Sequence, residues 1–129
     1  MKIKYKFFWL SLIILFIALF MPINGEAPGP SFDKIAHVLL FAFVSMNVCF
    51  YFLSNKNHLI LVSIFICTLP FLTEFLQKYI QGRNFDVNDI MADVLGIFFG
   101  IIIYFLFKNL IIKVYTLLGE ITQIENLGQ

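Results

Sequence analysis

Four apolar stretches, Phe7 to Ile23, Asp33 to Leu53, Leu59 to Ile80 and Val87 to Ile112, take up most of this chain. Each is close to the ~20 residues that a helix needs to cross about 30 Å of hydrocarbon. Lipid offers no partner to a backbone N–H or C=O. A spanning segment must therefore satisfy its own groups, as a helix does and an unpaired strand cannot. The links between the stretches are short, so successive helices must pack antiparallel. The expectation is an all-α integral membrane four-helix bundle, a single domain over residues 1–129 with no internal repeat. Composition agrees: 60% of residues are hydrophobic and 13% charged, about half the charged share that a water-facing surface needs. The net charge of +1 supplies no basic field for nucleic acid, so useful electrostatics must come from where the charges sit.

Lysines set the expected orientation. Lys2, Lys4 and Lys6 precede the first stretch, Lys56 lies between the second and third, and Lys108 and Lys113 close the fourth. All fall on one side, which the positive-inside rule makes cytoplasmic. Lys34, Lys78 and Arg83 lie opposite, so the balance favours both termini inside. The chain is then expected as a multi-pass protein of the bacterial cytoplasmic membrane. The lysine-rich start and the Gly25-Glu26-Ala27 triplet also resemble a secretory signal. The apolar run is longer than the ~7 to 15 residues of a signal core, however, and Trp9 suits an interfacial anchor. From Lys113 to Gln129, Val114, Leu117, Leu118, Ile121, Ile124 and Leu127 recur at helical spacing, which predicts a short amphipathic helix on the inner surface.

The opposite side collects the chemistry. Of the 8 acidic residues, Glu26, Asp33, Glu74, Asp86, Asp89 and Asp93 lie there, together with Lys34, His37, Gln77, Lys78 and Arg83. Asp33 and His37 are four apart and share a helix face, as do Glu74 and Gln77 at a spacing of three. On the fourth helix Asp86, Asp89, Asp93, Gly96 and Gly100 form one stripe, acidic at its start and glycine at its end. Glycines four apart allow close approach of a second helix in lipid, so the acids above them should point inward. Glu74 and Asp93 lie roughly 9 Å inside their helix ends at 1.5 Å per residue. An ionised acid at a helix centre costs on the order of 2.5 to 3.5 kcal/mol. Arg83, Lys34 and His37 are the available partners. The plain alternative is a set of salt bridges that merely ties the bundle together. Against it, acids outnumber basic partners, and a histidine among carboxylates is typical of functional sites.

Other polar residues carry less. His58 stands alone in the cytoplasmic loop, and Cys49 and Cys67 fall in apolar stretches without ligand-type neighbours, as structural thiols do. Ser45 and Asn47 suit hydrogen bonds between helices. Pro70, four residues before Glu74, predicts a kink in the third span.

Asp33-Lys34-x-x-His37 opening one span, Glu74-x-x-Gln77 closing the next, Arg83 in the turn, then Asp89-x-x-x-Asp93-x-x-Gly96-x-x-x-Gly100, resembles the VanZ-like family of small bacterial membrane proteins. The match runs from about residue 30, and neither the first span nor the tail carries it. The resemblance implies a link to lowered susceptibility to the lipoglycopeptide teicoplanin, without an assigned reaction. Asp93 stands where the family often has Asn, which adds a negative charge.

Three functions remain open on these residues. In the first, the cluster of Asp33, Lys34, His37, Glu74, Gln77, Arg83, Asp86, Asp89 and Asp93 recognises an amphiphile, either a lipoglycopeptide or a lipid-linked envelope precursor among the membrane lipids. In the second, Asp33, His37, Glu74, Asp89 and Asp93 hold a divalent cation for an enzyme acting on a lipid-linked phosphate. There is no His-Glu-x-x-His, Gly-x-Ser-x-Gly or Gly-rich phosphate loop to name such a reaction. The third is a scaffold or small transport subunit, in which the acids and His37 relay protons or dock a partner; four helices make a narrow conduit, so transport would call for a homo-oligomer.

Overall fold

A computed structural model of the chain consists of four α-helices in sequence: α1 (Lys2–Phe20), α2 (Pro30–Phe52), α3 (Lys56–Gln77) and α4 (Val87–Leu127). It describes residues 2–21, 30–52 and 56–127. The expected loop acid Glu26 lies outside the described residues, as do the side chains of the tail beyond Leu118. α2, α3 and α4 contain segments long and apolar enough to cross a bilayer, Phe32–Phe52, Ile60–Gln77 and Val87–Leu118. The apolar part of α1, Lys6–Phe20, is shorter and reaches about 22 Å at 1.5 Å per residue. The all-α membrane bundle expected from the four apolar stretches is thus the observed architecture.

Each helix has an inner and an outer face, but the two do not differ in hydrophobicity as they would in water. On α1, Phe8, Leu12, Leu15 and Leu19 are buried at spacings of four, three and four, while Trp9, Ile13 and Ile17 are exposed. Both faces are apolar because the outer one meets acyl chains. α2 is the central helix, touching each of the other three and α4 most extensively. Its Phe41, Val44 and Val48 join the α1 stripe and Ile66 and Leu69 of α3 in one core.

Gly96 and Gly100 explain the α2–α4 contact. A Cβ on Gly96 would lie 2.5 Å from the Val38 carbonyl oxygen, and one on Gly100 would overlap the Ser45 hydroxyl and the Ala42 carbonyl. The backbone of α4 therefore rests directly on α2, the geometry that small residues permit in lipid. Ser45 donates across this contact to the Ile97 carbonyl (3.1 Å). Asn47 donates to Phe43 of its own helix (2.8 Å).

α1, α2 and α3 begin ahead of the expected apolar stretches, at Lys2, Pro30 and Lys56, and two helix ends differ as well. α3 ends at Gln77 and not at Ile80: the N–H groups of Tyr79, Ile80 and Arg83 bond the carbonyls of Leu76, Gln77 and Ile80, the three-residue reach of tight turns, and Gly82 takes a positive φ of 82°. α4 does not stop at Ile112. The backbone leaves helical geometry at Phe107 (φ −112°, ψ 16°), and beyond this kink a second helical segment runs to Leu127, which includes the tail helix expected from the spacing. α3 is unbroken across Pro70, where Thr73 bonds back to the carbonyls of Leu69 and Pro70 (3.0 and 3.1 Å).

Candidate functional site

The start of α2, the end of α3 and the start of α4 meet at one end of the bundle. The end of α1 joins them, so α1 and α3 run against α2 and α4. At this end the ionisable residues form an outer and an inner layer.

The outer layer consists of ion pairs. Lys34 reaches both Asp86 and Asp89 at 3.1 Å, and Arg83 approaches Asp33 at 3.5 Å. Asp86 also begins α4. Its Oδ1 accepts the N–H of Asn88 (2.8 Å) and the Asn88 amide (2.9 Å), as an N-cap acid does for the unpaired donors of a first turn. The Asn88 N–H, with the Lys34 ammonium second, holds the Asp86 carboxyl below its ordinary range. One side chain thus caps a helix and ties it to α2.

The inner layer is buried. His37 and Asp93 are 1% and 0% exposed and meet through Nδ1 and Oδ1 at 2.7 Å. Glu74 and Gln77 are equally buried. Glu74 Oε2 accepts the Asp86 N–H (2.9 Å), which fastens α3 to the turn leading into α4. Three buried atoms here have no hydrogen-bond partner among the described residues: His37 Nε2, Glu74 Oε1 and Asp93 Oδ2. Such groups are costly in a low-dielectric interior, and a native structure retains few of them.

α1 supplies partners that its side chains do not reveal. Gln77 donates to the Leu19 carbonyl (3.0 Å) and Arg83 to the Ala18 carbonyl (3.4 Å). The last carbonyls of a helix have no partner within it, and two side chains from beyond α1 satisfy them. The only sequence signal for this was the presence of a helix end on the polar side.

All nine cluster residues named from the sequence, Asp33, Lys34, His37, Glu74, Gln77, Arg83, Asp86, Asp89 and Asp93, come together here. Lys78 is exposed and makes no ion pair among the described residues. Asp33, His37 and Asp89 can each place one donor atom within 4.8 Å of the others, the spacing of a prospective metal centre.

Beside the cluster, between α2 and α4, runs an open groove of about 420 Å³. Its walls are Ile35, Val38 and Leu39 on α2 and Met91, Ala92 and Leu95 on α4, with Lys34 and Asn88 at its polar end.

Among known proteins, the model of the VanZ/LLP1 family matches residues 3–108. The match takes in the first helix, which carried no sign of the family in the motifs alone, and it ends next to the bend at Phe107. An uncharacterized protein of Schizosaccharomyces pombe is 23% identical over 109 residues, covering 83% of this chain and 67% of that protein. No solved structure matches the chain. The chain belongs to the VanZ/LLP1 family.

Proposed function

We propose that this VanZ/LLP1 protein lies in the bacterial cytoplasmic membrane with its polar cluster outward, and that it binds an amphiphile there and so lowers susceptibility to teicoplanin-type lipoglycopeptides. The groove carries this reading. It offers an apolar trough for a chain, open to the bilayer, and Lys34 and Asn88 at its head for a polar or anionic group. The Lys34 ammonium has three protons and engages two carboxylates, which leaves one donor for a ligand. Its volume is within the range of small-molecule sites, about 300 to 1,000 Å³. The distribution of lysines supports the outward orientation. The family resemblance supports the link to teicoplanin, whose acyl chain distinguishes it from vancomycin.

Susceptibility of a bacterium expressing the protein tests this at matched membrane levels. Intact protein should protect against teicoplanin and leave vancomycin unchanged. Lys34→Ala should remove the protection, and so should Leu39→Trp, which fills the trough from its exposed wall. Protection that survives both changes, or none from the intact protein, would contradict the reading.

A further inference from the structure

His37 has one ring nitrogen committed and one in reserve. Nδ1 is held by Asp93 at 2.7 Å, and Nε2, buried with the rest of the side chain, has no hydrogen-bond partner among the described residues. With Nδ1 engaged, Nε2 is the nitrogen left to serve in the group it forms with Asp33 and Asp89.

We propose that Asp33, His37 and Asp89 form a site for one divalent cation of the Zn²⁺ or Mn²⁺ class, oriented by Asp93. The donors are one imidazole and two carboxylates, a mixed set that suits these ions better than Mg²⁺ or Ca²⁺, which favour oxygen alone. Donors around tetrahedral zinc sit about 3.4 Å apart, given bonds near 2.1 Å. In the structure the three donors all lie within 4.8 Å of one another, so binding requires them to draw together. Lys34 and Arg83 each engage Oδ1 of their acid, and a carboxylate has a second oxygen to offer. Asp93, bonded to the far side of the imidazole, fixes the tautomer and ring orientation of the ligating histidine. Charge favours a guest as well. Among the described residues at this end there are five acids, Asp33, Glu74, Asp86, Asp89 and Asp93, against the fixed cations Lys34, Arg83 and Lys78, of which the exposed Lys78 makes no ion pair, and excess negative charge at membrane depth is costly. Three protein donors leave at least one coordination position open, as in sites that bind a water or an exogenous anion. This inference does not depend on the amphiphile reading.

The full chain, purified in detergent and stripped with a chelator, would be titrated with Zn²⁺ and Mn²⁺ by calorimetry. The expected result is one Zn²⁺ or Mn²⁺ per chain, reversed by chelator and accompanied by a rise in Tm. His37→Ala and Asp89→Ala should weaken binding at least 10-fold, and Asp93→Ala about 10- to 100-fold, the usual effect of losing an outer partner. Lys34→Met removes a cation that competes for Asp89 and should tighten it. Circular dichroism and a monodisperse elution profile would show that each variant is folded. For any variant that is not, the intact protein decides: Co²⁺ should give the visible bands of a four- or five-coordinate nitrogen and oxygen site, bleached by Zn²⁺. No chelator-reversible stoichiometric binding by the intact protein, no such bands, or unaltered binding in folded Asp89→Ala would overturn the proposal. A failed susceptibility assay would leave this titration unaffected, and the converse holds.

Discussion

His37 and Asp93 form a buried pair in which each partner offsets the desolvation of the other. Removing one leaves the second with an unpaired polar atom, at a cost of about 1 to 3 kcal/mol. Asp93→Ala should therefore lower the Tm in detergent by the equivalent of that amount. Asp93→Asn should cost less, since an amide can accept from or donate to Nδ1 and so keeps the pair in either tautomer. Equal losses for the two would contradict this account. Asp86 poses a different test because it lies at the water-facing end. Its carboxyl is held below the ordinary value of 3.8 by the Asn88 N–H first and Lys34 second. A depressed carboxylate contributes stability that is present above its ordinary value and is lost as pH falls through the folded one. Asp86→Asn should therefore lower stability at neutral pH and flatten the acid limb of a Tm against pH series. An acid limb identical to that of the intact protein would exclude the capping role.

At the scale of helices, the α2–α4 contact is the most exacting feature. A methyl on Gly100 meets the Ser45 hydroxyl and the Ala42 carbonyl with no space to yield, so Gly100→Ala should destabilise by about 1 to 3 kcal/mol. A Tm equal to that of the intact protein would show that the helices are farther apart. The glycine spacing made close packing of α4 legible in the sequence, but it could not say which helix lay opposite, because any neighbour satisfies that pattern. The Asp33/His37 and Glu74/Gln77 faces were legible for a similar reason: a helix fixes which side chains are neighbours at spacings of three and four. The part played by α1 was not legible. It acts through the carbonyls of Ala18 and Leu19, which every residue has, and the partners Gln77 and Arg83 are about sixty residues away. Gln77→Leu should accordingly loosen α1, read as faster proteolysis or hydrogen exchange at its C-terminal turn while α2 and α4 keep their protection.

For the whole molecule, shape and orientation have different warrants. Four apolar stretches joined by short links leave little choice but an antiparallel bundle, and the structure has that form. The end of α3 at Gln77 escaped the sequence reading, because apolar residues run on to Ile80 past the point where the backbone bonds tighten into turns; a helix beyond Ile112 was legible from its spacing, and the break at Phe107 was not. Orientation rests on the lysines alone, and the proposed binding of an amphiphile needs the cluster outside. The most direct measurement is labelling of Asn84→Cys in a chain whose Cys49 and Cys67 are replaced by alanine. Asn84 is exposed in the turn between α3 and α4. A membrane-impermeant maleimide added to intact protoplasts should label it fully. Labelling only after permeabilisation would turn the cluster to the cytoplasm and end the case for an outer-leaflet ligand.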